Sequence, residues 1–374
     1  PYAAGGIALT GQHIDDFSGL NQRLTAGGVT GSRSFRTMQG DLVIGNEIKA
    51  REVIVSADGG SLTVNGKIDA SGRQVGVIRL AARDNLTLAG TAVLDVHGTD
   101  LRVDSYGKII DAANRAIVDL TSGTDGTGTL TVLPQATIDL RAGTDVAVGS
   151  GVGQNDGASR GTVVLNVPRL GSTTASQTGA GAPANATGGD LDIAVASPFT
   201  ILGADSIAVY GYANYTNAPT GQGGQVVNQD YLDKIDADSK AFIKVAYGNN
   251  VAAGVLSAGL QAKLAGLTSY GQAFHLRPGV EIRSATANGN LTVDRDLDLS
   301  GISHALIDRL GPQQWPFPSG ATQGTPRLYG DGRFPTATGR AHFVCDPYLP
   351  AKEQRDARFP LTLITGRLRD QWHG

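Results

Sequence analysis

A short phrase recurs along this chain, and its recurrence restricts the folds open to it. Between Gly60 and Leu88 the sequence reads GSLTVNGKIDASGRQVGVIRLAARDNLTL. Leu62-Thr63-Val64 alternates apolar and polar, Gly66 turns, Ile68-Asp69-Ala70 alternates again, and Ser71-Gly72 turns once more. The phrase then restarts with Asp84-Asn85-Leu86-Thr87-Leu88 and Val93-Leu94-Asp95-Val96. Further copies are Gly128-Thr129-Leu130-Thr131-Val132 with Thr137-Ile138-Asp139-Leu140, Gly189-Asp190-Leu191-Asp192-Ile193, and Gly289-Asn290-Leu291-Thr292-Val293 with Leu297-Asp298-Leu299. One short strand pair cannot bury its own apolar face, so such copies predict stacking, each strand pairing with its equivalent about 4.8 Å away. The expected fold class is all-β, a parallel β-helix (solenoid), with Leu86 and Leu130 inward and Thr63, Thr87, Thr131 and Thr292 in an outward column.

Composition suits many tight turns: 52 of 374 residues are Gly, and Pro is ordinary at 15. Charged residues make up 17% and the net charge is -3, which gives no footprint for nucleic acid or an anionic membrane. A single cysteine, Cys345, builds neither a disulfide nor a metal cage. No run of 18 apolar residues and no basic-then-apolar leader is present, and with Pro1 first and Met38 the only methionine the chain reads as an internal piece of something longer.

Residues 1–40 read as a frayed first coil, and 41–142 as dense regular coils. The aspartates of the second strand (Asp69, Asp95, Asp139, Asp298) are expected on a solvated face. They lack the spacing of a calcium loop, and His97 and His275 read as isolated, so no metal is assigned. Residues 143–188 are loop-like apart from the strand Val163–Val167. A strand at Ser206–Tyr212 follows. Tyr210, Tyr212 and Tyr215 are candidate partner-contacting residues, with ordinary edge packing as the alternative. A helical excursion is expected at about 228–267, in two helices: one capped by Asn228, carrying Leu232, Ile235, Phe242 and Ala246 and ending at Gly248, and a second at about Val251–Leu267.

Positions from about 41 to 300 resemble the filamentous-haemagglutinin-like exoproteins of two-partner secretion. The resemblance rests on the GTLTV and ATIDLRAG phrases, Ala112-Ala113-Asn114-Arg115-Ala116, and RPGVEIRS with NLTV and LDLS after it. It implies a right-handed β-helix, secreted or surface-held, used for adhesion to a host or neighbouring-cell surface receptor or glycan, and exported through an outer-membrane transporter.

From Gly301 the phrase stops and Pro becomes frequent, which predicts a boundary between residues 1–300 and 301–374. The second segment resembles the C-terminal region of assimilatory nitrate reductase and its molybdopterin oxidoreductase relatives. The carrying residues are Gln314-Trp315-Pro316, Gly324-Thr325-Pro326-Arg327-Leu328-Tyr329, Thr338-Gly339-Arg340-Ala341-His342-Phe343, and Phe359 to Arg367 with Gln371-Trp372-His373. The resemblance implies a cytoplasmic parent in which Thr365, Gly366, Arg367, Trp372 and His373 help hold molybdopterin guanine dinucleotide. Two families meeting near Asp298–Gly301 suggest a chimeric sequence, with a genuine fusion as the alternative.

Clustered acid and base side chains, which a polysaccharide-cleaving β-helix needs, do not appear. The expectation is therefore a non-catalytic adhesion segment without a cofactor of its own. The alternative is a fragment of a nitrate reductase.

Overall fold

A computed structural model describes residues 4–170, 189–221, 224–286, 289–293, 304–311, 313, 317 and 320–324. Runs that alternate in and out form strands here, because a period of two puts every second side chain on one face. In Glu52–Ala57 and Val77–Ala82 the inward residues Val53, Val55, Ala57, Ile78, Leu80 and Ala82 are at most 1% exposed.

The first sheet has nine strands. Gly6–Gly11, Ser32–Thr37, Glu52–Ala57, Val77–Ala82, Ile117–Thr121, Gly161–Leu170, Ala204–Tyr215 and Phe274–Ile282 follow one another in parallel, and Asp190–Leu191 adds antiparallel to 161–170. The register builds columns of equivalent apolar residues. One runs Val53, Ile78, Val118, Val163 and Ile207, and its neighbour Phe35, Val55, Leu80, Leu120, Leu165 and Val209.

The three-residue strands form two further parallel sheets. In the second sheet Leu42, Leu62, Leu86, Leu130 and Ile193 align, each strand with the equivalent strand of the next repeat. In the third, Ile68, Leu94, Ile138 and Ile201 align. The inward residues of all three sheets form one hydrophobic cluster, each fully buried Val, Leu or Ile contributing roughly 1.5–3 kcal/mol. The fold is thus all-β, mostly parallel, with few helices. Leu86 and Leu130 are inward, and Thr63, Thr87 and Thr131 line the half-exposed column.

Short polar side chains hold one repeat to the next. Asp41 Oδ1 accepts from the Ser61 amide at 2.7 Å, Asn46 Oδ1 from Lys67 at 2.7 Å, and Asn85 Oδ1 from Thr129 at 2.9 Å. Gly128 is required before its strand. Its φ is +134°, and a Cβ there would lie 2.2 Å from the Asp84 carbonyl oxygen.

Three expectations are corrected. In place of a frayed coil over residues 1–40, Gly6–Gly11 pairs with Ser32–Thr37, and helix α1 (Phe17–Ala26) lies between them, capped by Asp16 Oδ1 on the Gly19 amide at 2.8 Å. Phe17 packs edge-on against Phe35, and beneath the helix the buried Arg33 donates to Asn21 Oδ1, Thr25 Oγ1 and the Val29 carbonyl. Thr292 does not continue the column of Thr131. Its strand, Leu291–Val293, pairs with Gly224–Val227 in a separate three-stranded sheet. The second predicted helix is only Ala258–Lys263 (α3 below), flanked by tight turns at Val251–Ala253 and Thr268–Ala273.

Helix α2 (Gln229–Ala246) begins at the Asn228 cap, whose Oδ1 accepts from the Tyr231 amide, and the left-handed Gly248 follows it. Its buried face includes Ile235, Phe242 and Ala246 and is interrupted by Asp238 and Ser239. Phe242 reaches the sheet because Gly211 has no side chain: a Cβ there would be 2.7 Å from the ring. Asp238 is fully buried and pairs with the equally buried Arg169 at 3.0 Å, while the Tyr215 hydroxyl donates to the same carboxylate oxygen. Arg169 also donates to the Gly211 and Gly279 carbonyls and lies 4.4 Å over the Phe242 ring. Helix α3 (Ala258–Lys263) follows, with Lys263 bonded to Asp190 at 2.7 Å.

Leu86→Ala is expected to cost about 2–5 kcal/mol by leaving a cavity, and Thr87→Ala less than about 1 kcal/mol. Equal losses on thermal unfolding would contradict the register. Asp238→Ala is expected to cost about 3–5 kcal/mol because it strands a buried guanidinium. Chemical denaturation, read by intrinsic fluorescence, measures it.

Candidate functional site

The third sheet brings the repeated aspartates together. Asp69 is paired in register with Asp95, and Asp95 with Asp139. Three like charges stacked at strand spacing repel one another, and basic side chains are placed between them. Lys67 reaches Asp95 at 2.7 Å and Asp69 at 3.7 Å, Lys49 lies 3.6 Å from Asp69, His97 Nδ1 is 2.6 Å from Asp95 Oδ1, and Arg141 makes a two-pronged pair with Asp139 at 2.9 and 2.6 Å.

Burial alone would raise the Asp69 carboxyl. Hydrogen bonds from Ser71 and the charges of Lys67 and Lys49 outweigh it and hold the group below its ordinary range. Asp139 is lowered likewise, burial being overcome by the Arg141 bonds and assisted by His97. The sequence reading of a solvated aspartate face is corrected: Asp95 and Asp139 are 7% and 9% exposed, and His97 is bonded rather than isolated. Asp95, His97 and Asp139 offer ligand atoms within 4.8 Å of one another. Lys67 and Arg141 already engage those carboxylates, so the group is a charge-balanced ladder.

The three tyrosines separate. Tyr215 is buried at 1% exposure on Asp238, so it presents no surface to a partner. Tyr212 is half-buried, its hydroxyl donating to the Ser122 carbonyl at 2.8 Å and also to that of Gly123. Tyr210 is half-exposed on the outer face of the first sheet, paired in register with Asn166 and Arg277. His275 pairs in register with Ala208.

Thr365, Gly366, Arg367, Trp372 and His373 lie outside the described residues, as do Cys345 and Asp298. Of residues 301–374 the structure describes the helix His304–Leu310 and a few positions after it. The residues tied to a pterin by resemblance therefore have no geometry here. Among the described residues no helix is long and apolar enough to cross a membrane.

Similarity to known proteins comes from nitrate reductases. The chain is 39% identical over 87 residues to a nitrate reductase of Synechocystis sp., covering 22% of this chain and 12% of that protein. It is 43% identical over 81 residues to a nitrate reductase of Shewanella frigidimarina, covering 20% of this chain and 9% of that one. An assimilatory nitrate reductase of Haloferax mediterranei is 36% identical over 87 residues, 22% of this chain and 12% of the relative. The chain thus spans about a tenth of the length of these relatives. No family model and no solved structure matches it. These relatives overturn the expectation of a chain that is not an enzyme: they point to an oxidoreductase, over part of the sequence.

Because the folded carboxyls of Asp69 and Asp139 sit below the ordinary 3.8, their contribution is present above that value and is lost as pH falls through the lowered one. Asp119 is raised, chiefly by burial, and acts with the opposite sign. Asp139→Asn is expected to cost about 1 kcal/mol at neutral pH, a value limited by the solvent around Arg141, and to flatten the fall of the melting temperature below about pH 4. Thermal melts across that range read both.

Proposed function

We propose that the chain combines two parts. Residues 301–374 belong to the C-terminal region of a molybdopterin-dependent oxidoreductase of the nitrate reductase type. Residues 1–300 form a right-handed parallel β-helix that serves as a scaffold. The single observation behind the first part is the identity of 36–43% to three nitrate reductases over stretches of 81 to 87 residues. In this reading Thr365 and Gly366, which follow the apolar run Leu361-Thr362-Leu363-Ile364 in the sequence, would hold a phosphate of the pterin dinucleotide. Arg367 supplies forked donors to the same group, and Trp372 and His373 follow as further contacts. When bound, the molybdenum pterin supplies the redox chemistry, and nitrate is the substrate class suggested by the relatives.

Support for the β-helix comes from the register, in which three parallel sheets repeat in step and share one core. A cell-surface receptor or glycan is the partner class suggested for this part by its resemblance to exported adhesins.

In the full-length protein that carries this segment, Arg367→Ala is expected to lower bound pterin and nitrate turnover by about tenfold, the loss of one charge-assisted hydrogen bond. Pterin fluorescence after acid release and viologen-linked nitrate reduction measure the two. Unchanged pterin content would sink the cofactor assignment.

A further inference from the structure

The outer face of the first sheet changes character at its last four long strands. Thr121, Asn166 and Tyr210 occupy one row across three of them. Tyr212 and Gly279 share the next row. Beyond the last strand Arg283 turns back, donating through Nη2 to the Thr124 carbonyl at 2.5 Å and through Nε to Glu281 at 2.8 Å. Together these residues enclose an open groove of about 570 Å³, within the range of small-ligand sites.

The walls are fixed and the working groups are left available. Tyr212 is held by its hydroxyl and by close packing on Gly279, where a Cβ would lie 2.8 Å from the Tyr212 Cβ. Tyr210 is half-exposed, and its hydroxyl bonds to no other described residue. Asn166 spends its amide on Asp119 and Thr121 at 2.9 and 3.0 Å, which leaves its carbonyl oxygen as an acceptor. The Glu281–Arg283 pair uses one carboxylate oxygen and cancels its own charge. Val280, 47% exposed, adds an apolar edge.

Charge and shape select the ligand class. A phosphate or a nucleic-acid strand needs uncompensated cations, and the groove's only guanidinium among its lining residues is already paired with Glu281. A basic peptide faces the same cancellation. A pyranose ring has an apolar face that lies against an aromatic ring and hydroxyls that both donate and accept, matching a tyrosine platform beside a carboxylate, a guanidinium and a carboxamide. The geometry points to a groove that binds a short neutral oligosaccharide, with Tyr210 as the stacking platform and Asn166, Glu281 and Arg283 as its hydrogen-bonding groups. This site deepens the scaffold reading of residues 1–300 and is independent of the oxidoreductase reading of 301–374.

Calorimetric titration of the whole chain with cellohexaose, xylohexaose and chitohexaose tests it, alongside thermal melts of each variant. At least one sugar is expected to bind, Tyr210→Ala to weaken it about tenfold through the lost ring contact, and Tyr210→Phe to retain it. Glu281→Gln is expected to weaken it severalfold with the melting temperature unchanged, and it remains informative if Tyr210→Ala fails to fold. Three outcomes would each overturn the inference: no binding of any of the three sugars, affinity unchanged in the folded Tyr210→Ala or Glu281→Gln protein, or binding of a basic peptide in place of sugar. Loss of pterin binding in the Arg367 variant leaves this result untouched.

Discussion

Parallel pairing fixes the distance between equivalent residues of successive repeats, and the rest of the structure follows from that spacing. At roughly 4.8 Å a Val, Leu or Ile rests directly on its counterpart. A column such as Val53, Ile78, Val118, Val163 and Ile207 is therefore continuous without close packing being designed separately at each level. Strands of only three residues are stable for the same reason: Leu86–Leu88 is flanked on both sides by its equivalents and shares the core of the longer sheet. Where the chain leaves this pattern, polar groups enter the interior under a helix. Arg33 beneath α1 and Arg169 beneath α2 are both buried, and each has several acceptors.

Constant spacing helps apolar residues and penalises charged ones, and the third sheet shows how the penalty is met. Its aspartates are set one repeat apart, with lysine, histidine and arginine supplied from the same short strands or the residues just after them. The buried Arg169–Asp238 pair differs in kind. It holds a helix to a sheet through two charges out of solvent, so its geometry is demanding and its role is to fix one docking of α2 rather than to add net stability.

Much of this was legible in the sequence. The period-two phrases at Leu62, Leu86 and Leu130 gave the inward residues and the Thr63, Thr87 and Thr131 column, because a strand's two faces are written directly in its alternation. The excursion near 228–267 was visible through its Asn cap, although the burial of Asp238 and Ser239 was not, since polar residues on a helix read as solvated. Helix α1 was missed because its apolar residues Phe17, Leu20 and Leu24 are interrupted by the buried Asn21, whose partner is the buried Arg33 of the next strand. The grouping of Asp95, His97 and Asp139 was missed because it joins three residues through register, which no local motif encodes. Thr292 looked like a further copy, yet its neighbours in space are Val226 and the residues beside it. The likeness to nitrate reductases was suggested by motifs of the Pro-rich segment rather than by periodicity.

The ladder of Asp69, Asp95 and Asp139 also bears on how such a chain can change over time. Apolar columns are nearly indifferent to which module sits above which, since one aliphatic layer accepts another. The interleaved cations are not: Lys67 serves the carboxylate of the following module as well as its own. Excising that module would take from Asp95 the lysine it shares with Asp69. Neighbouring repeats are thereby matched to one another, and the order of modules along this stretch is harder to shuffle than its oily interior alone would suggest.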